Sequence, residues 1–142
     1  MRAWLLDTGP LVAYLDATDS AHGSVTTRLG EWTGRLCTTS AVVTEAMHFV
    51  AASPRGPSLL AAFARESGLL VYECAQPWQI AEAAALMAQY ADTPMDFADA
   101  TLVLLAERLG VLDIATLDRR GFTAYRVARR RPFRLVLDRD AR

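Results

Sequence analysis

Apolar and polar positions along this chain follow two alternating rhythms. Ala3 to Leu6 form a short apolar run that ends at Asp7. After Thr8-Gly9-Pro10, apolar Leu11, Val12 and Leu15 return at helical spacing, which predicts strand, turn and helix. A polar helix over about 20–30 is expected next, then a strand from Arg35 to Thr39, with Ser40 as the cap of a helix running through Val50. Glu45 falls one turn into that helix. Ser53-Pro54-Arg55-Gly56-Pro57 breaks the pattern, a helix continues to about Glu66, Gly68 stops it, and Leu69-Leu70-Val71-Tyr72 makes a third strand. Pro77 opens a helix to about Tyr90, and Asp92-Thr93-Pro94 interrupts it. Met95 to Leu109 then forms a helix that carries Asp96 and Asp99 and ends at Gly110. Val111 to Ala115 predicts a fourth strand leading to Thr116-Leu117-Asp118, and Phe133 to Leu137 a fifth. Strands separated by helices of crossover length specify an α/β fold: a single domain over 1–142, with a mostly parallel sheet of about 4–5 strands and helices on both faces.

Composition narrows the function classes. A chain of 142 residues, 52% hydrophobic, supports its own core, and no apolar run approaches the roughly 20 residues of a membrane helix. The amino terminus reaches Asp7 too early for the apolar region of a signal peptide, so a cytoplasmic protein without membrane attachment is expected. Cys37 and Cys74 lie in separate apolar stretches without ligand spacing and read as two buried thiols, not as a zinc site or a disulfide. All 15 basic residues are arginine, which excludes the Walker phosphate loop and every mechanism that needs a lysine. Charge is divided unevenly. Residues 1–118 hold 14 acids and 6 arginines, whereas 119–142 hold 9 arginines and 2 acids. An acidic body is followed by a basic tail, with Arg119, Arg120, Arg126, Arg129, Arg130, Arg131 and Arg134, that can track a phosphate backbone.

In a parallel sheet the functional crevice lies beyond the carboxyl ends of the strands, at a topological switch point. Asp7 ends the first strand and Asp118 follows the fourth; Glu45 and Asp99 lie near helix starts, which return to the same side. Asp96 and Asp99 share a helix face at i, i+3 spacing. Each of Asp7, Glu45 and Asp99 interrupts a strongly apolar stretch, and a charge so embedded needs a partner. Clustered carboxylates raise one another's pKa unless a cation neutralises them, and a hard divalent ion with oxygen ligands, Mg2+ or Mn2+, is the natural occupant. That combination points to phosphodiester hydrolysis. The other acids are assigned to solvated surface, Glu73 among them, and His22 and His48 are given no catalytic role.

The same segments resemble the PIN-domain ribonucleases, especially the toxins of VapBC-type toxin–antitoxin pairs. Leu5-Leu6-Asp7-Thr8-Gly9-Pro10-Leu11-Val12-Ala13 is similar to the motif of the first acid, Thr39-Ser40-Ala41-Val42-Val43-Thr44-Glu45 to that of the second, Asp99-Ala100-Thr101-Leu102-Val103 to the third, and Ala115-Thr116-Leu117-Asp118-Arg119-Arg120-Gly121-Phe122 to the fourth. The resemblance spans essentially the whole chain and carries the signal through the order and spacing of all four motifs. It implies a magnesium-dependent endoribonuclease with catalytic Asp7, Glu45, Asp99 and Asp118, an RNA substrate, a cognate antitoxin protein and a homodimer. Asp96 is an extra acid, ranked below Asp99. Thr8, Ser40 and Thr116 adjoin the acids and are expected to hold ligands or waters by hydrogen bonds.

Two other readings compete. Asp7-Thr8-Gly9 is also the triplet of aspartic proteases, but those are almost wholly β, while residues 77–109 read as two long helices. A non-catalytic PIN-like interaction domain would keep the fold without turnover; metal binding discriminates it. No motif reveals which RNA is cleaved.

Overall fold

Alternation within the first strand decides the layering. In β1 (Ala3–Leu6), Ala3 and Leu5 point into one apolar cluster and Trp4 and Leu6 into another, so the strand is buried on both faces, as a central strand of a parallel sheet must be. The computed structural model describes residues 2–138. After β1 come α1 (Thr8–Leu15), α2 (His22–Glu31), β2 (Arg35–Thr39), α3 (Ser40–Val50), α4 (Gly56–Glu66) and β3 (Leu70–Tyr72). The second half holds α5 (Pro77–Gln89), α6 (Phe97–Leu109), β4 (Asp113–Ala115), α7 (Arg119–Ala124), β5 (Arg126–Val127), β6 (Arg131–Pro132) and β7 (Arg134–Leu135).

Five strands form one sheet in the order β3-β2-β1-β4-β7, every pairing parallel, while β5 and β6 make a separate antiparallel hairpin. From β1 the chain first builds outward through β2 and β3, then returns to the other edge of β1 with β4. The switch point therefore lies between β1 and β4. Leu11, Ala13, Val25, Leu29, Ala46, Val50, Leu60 and Phe63, from α1 to α4, cover the Trp4 face. Ala83 of α5 and the long buried row of α6, including Leu102, Leu105 and Ala106, cover the Leu5 face, joined by Phe122, Tyr125 and Phe133. Each fully buried Leu or Phe contributes about 1.5–3 kcal/mol of transfer free energy, so both faces are needed to hold so small a sheet. Among the described residues, no helix is long and apolar enough to cross a membrane. Cys37 and Cys74 are buried and free.

Several boundaries differ from the sequence expectation, each for a local reason. Thr8-Gly9-Pro10 is not a separate turn but the first turn of α1, because Asp7 accepts from the Thr8 amide as its cap and Pro10 lacks an amide that an early helix position would leave unpaired. Ser40 is not the cap of α3. Thr39 is, its hydroxyl accepting from the Val42 amide at 3.3 Å. The helix expected from Met95 starts at Phe97, with Asp96 outside it as the cap. Within the described residues the basic tail folds as α7 followed by the hairpin, and its last strand is only Arg134–Leu135 rather than Phe133 to Leu137.

Candidate active site

The carboxyl ends of β1 and β4 are joined where the Asp7 amide donates to the Ala115 carbonyl at 3.0 Å, and the site is assembled around that junction. Asp7 is 7% exposed, and its two oxygens have different partners: Oδ1 accepts from the Thr8 amide at 2.8 Å and Oδ2 from the Thr116 hydroxyl at 2.7 Å. Thr116 Oγ1 in turn accepts from the Asp118 amide at 3.0 Å, so one hydroxyl aligns both strand-end acids. Asp118 is exposed and caps α7 by accepting from the Gly121 amide at 3.0 Å.

Asp96 and Asp99 face each other across the start of α6. The Asp99 amide donates to Asp96 Oδ1 at 2.8 Å and the Asp96 amide to Asp99 Oδ2 at 3.1 Å, a capping box built from two aspartates. Glu45 is half-buried on α3, and it and Asp96 both line a groove of about 780 Å³. Its walls include Ser40, His48, Phe49, Phe97 and Cys74. The α3 and α6 starts are tied together beneath it by the Thr39 and Thr101 hydroxyls, 2.8 Å apart and both buried.

Burial and crowding shift these acids. Burial pushes Asp7 up to about 6 against its Thr116 and Thr8 hydrogen bonds, and the charges of Asp96 and Asp118 add to the rise. Asp99 is pushed up to about 8, first by burial and then by Asp96, with a smaller contribution from Asp7. Glu45 is raised, first by burial and then by Asp96. Asp7, Glu45 and Asp99 thus each feel the charge of at least one neighbouring acid.

Among the described residues, no three His, Cys, Asp or Glu side chains stand close enough to enclose a cation as they are oriented. The caps explain this: Asp96 and Asp99 are turned onto each other's amides and Asp118 onto that of Gly121. The donor chemistry nevertheless suits a hard cation, because every candidate donor is oxygen and the Thr8 hydroxyl is buried with no hydrogen-bond partner.

Of the three hydroxyls singled out in the sequence, Thr8 and Thr116 lie at the acids. Ser40 donates instead to Glu73 Oε1 at 2.8 Å, which brings Glu73, assigned in the sequence to solvated surface, to the groove wall. His48, Phe49 and Tyr125 were also missed: a helical histidine followed by an aromatic, and a tyrosine in a basic segment, carry no signal until the fold puts them beside the acids.

Arg119 is exposed and pairs with Asp138 at 3.3 Å. Arg126 turns onto the carbonyls of Thr123, Ala124 and Tyr125, and Arg131 onto that of Ala128. Arg120 has no ion pair or hydrogen bond to its side chain among the described residues, nor do Arg129 and Arg130 at the hairpin tip, with φ of 64° and 58°.

Comparison with known proteins agrees with this architecture. The family model described as PIN domain matches residues 4–129. The Mycobacterium tuberculosis protein described as Ribonuclease VapC26 is 33% identical over 124 residues, covering 86% of this chain and 91% of its own. The crystal structure of Mycobacterium tuberculosis VapC20, described as a sarcin-ricin loop cleaving toxin, is similar with a TM-score of 0.74 at 18% identity, over 83% of this chain and 91% of that one.

Proposed function

The chain belongs to the PIN-domain family, and on that premise we propose that it is a magnesium-dependent endoribonuclease, the toxin of a type II toxin–antitoxin pair. One observation carries this reading: near the β1–β4 switch point burial, reinforced by the charges of neighbouring acids, holds Asp7 and Asp99 above the usual carboxylate range. Asp7, Glu45, Asp99 and Asp118 are the catalytic acids in this proposal, with Asp96 as a further metal ligand. The relatives described as a ribonuclease and as a sarcin-ricin loop cleaving toxin support RNA as the substrate.

Oxygen donors and the unpartnered Thr8 hydroxyl suit Mg2+, with Mn2+ as its substitute. When bound, such a cation supplies Lewis acidity and activated water for phosphodiester hydrolysis. The chain's own residues do the rest. Thr116 holds the Asp7 carboxylate in one orientation and aligns Asp118 with it. The reciprocal caps of Asp96 and Asp99 hold both at the mouth of α6. Ser40 acts through Glu73 at the groove, and Arg119, Arg120, Arg129, Arg130 and Arg131 supply the positive potential that an acidic crevice lacks. A homodimer in the cytoplasm and a cognate antitoxin complete the proposal. The antitoxin reaches the carboxylates with an arginine, whose fork meets them bidentately.

The test is cleavage of total cellular RNA by the purified chain with and without Mg2+, the new ends mapped by sequencing. Asp7→Asn, Glu45→Gln and Asp99→Asn are each expected to abolish Mg2+-dependent cleavage with the fold intact. Full activity in any two of them rejects the site, and cleavage that survives chelation rejects the metal. Co-expression with the product of the adjacent reading frame should relieve growth arrest and give a complex on size exclusion.

A further inference from the structure

We propose that Tyr125 is a positioning residue, whose buried hydroxyl ties the α6 acids Asp96 and Asp99 to the α7 acid Asp118. Tyr125 follows α7 immediately and has no exposed surface. Its hydroxyl donates at 2.7 Å to the carbonyl of Pro94, two residues before Asp96, and therefore holds the segment from which α6 starts. On its other side it borders Gly121: a Cβ built there would lie 2.9 Å from the Tyr125 hydroxyl and would collide with Asp118 Oδ2. The amide of Gly121 is the one that donates to Asp118 where it caps α7. One hydroxyl thus sits between the chain leading to two acids and the turn presenting a third.

The ring is fixed so that this hydroxyl has little freedom. Tyr90 and Phe122 meet it edge-on, each with centroids 5.1 Å away, at 73° and 80°. Burial first, and then the charges of Asp99, Asp118, Asp96 and Asp7, keep the hydroxyl protonated, and a protonated hydroxyl is what donating to Pro94 requires. No other direct hydrogen bond links the 92–95 segment to α7 among the described residues. Without it, α6 and α7 remain in place through their apolar contacts, but the relative setting of their acids is released.

This inference rests on the metal-site reading above, and its test separates the two. Tyr125→Phe removes the hydroxyl and keeps the ring. Tyr90→Phe is the control: it removes a hydroxyl from the same aromatic group, one that accepts from the Arg126 amide at 2.9 Å instead of donating to the segment leading to α6. Two measurements are made on purified full-length protein: Mn2+ affinity by calorimetry, and the amide resonances of Asp96, Asp99 and Gly121 without metal. In Tyr125→Phe the three amides should shift and Mn2+ affinity should fall about 10- to 100-fold, the range for losing a group that orients a ligand. Tyr90→Phe should leave both near the parent. Unmoved amides in Tyr125→Phe, or equal losses in the two variants, overturn the positioning role. If the parent itself binds no Mn2+, the metal-site reading fails, while shifted amides in Tyr125→Phe still support the tie.

Discussion

Asp7 and Asp99 are more easily protonated in the folded chain than in an unfolded one, and this has a sign that can be tested. A carboxyl raised from an ordinary value near 3.8 to about 6 or about 8 binds more protons when folded, so unfolding releases protons and stability falls as pH rises. The loss begins near pH 4 and is complete for Asp7 above about 6 and for Asp99 above about 8. The thermal midpoint of the metal-free protein is therefore expected to be higher at pH 5 than at pH 8.5, and Mn2+ should restore most at the alkaline end. A midpoint that rises over this range contradicts the charge crowding. Asp7→Asn removes the buried charge, keeps an acceptor for the Thr8 amide and should stabilise the metal-free protein by roughly 1–2 kcal/mol. A clear loss of stability in chemical denaturation would show that the carboxylate is structural.

At the scale of elements, Gly121 shows how closely α7 is fitted to the site. Gly121→Ala would drive a methyl group into Asp118 Oδ2 and against the Tyr125 ring, so the cap on α7 must open or the ring must move. A loss of about 1–3 kcal/mol is expected from overpacking of this kind, with a fall in Mg2+-dependent cleavage larger than the same loss of stability produces elsewhere. Val25→Ala, on the far cluster, is the comparison. Much of the architecture was legible beforehand, because strand-length apolar runs, helical spacing and breakers such as Pro54, Gly68 and Gly110 are local signals. Asp7 and Glu45 stood out for the same reason, as charges in apolar surroundings. Asp96 was misplaced inside its helix because a capping aspartate and a helical one look alike until the backbone direction is known. The packing of Tyr125 onto the Pro94 carbonyl depends on two segments 31 residues apart, and no local pattern encodes it. The hairpin was missed because its strands are two residues each and arginine-rich.

For the whole molecule, the question is how a polyanion approaches an acidic crevice. The exposed arginines at the start of α7 and at the hairpin tip are the concentrated positive charge near the carboxyl-terminal part of the fold. Changing Arg129, Arg130 and Arg131 together to Ala should weaken RNA binding and flatten its salt dependence, with each lost phosphate contact reducing the slope by about 0.7 for a single strand. Mn2+ affinity should stay near the parent value. An unaltered slope means that these arginines do not meet phosphate. Light scattering is expected to give twice the monomer mass, and a monomer mass rejects the homodimer.

The strand order also dictates when activity can arise during synthesis. β1 is made first, yet its β4 neighbour and the Thr116 that orients Asp7 come more than 100 residues later. A nascent chain that has emerged only through α6 can pair β1, β2 and β3 and lay helices on both of their faces, but it leaves the second edge of β1 open and Asp118 absent. Contacts so distant in sequence form late and slowly. On the ribosome the unfinished protein therefore carries an incomplete site, and under the proposed function cleavage can begin only once the chain is nearly finished.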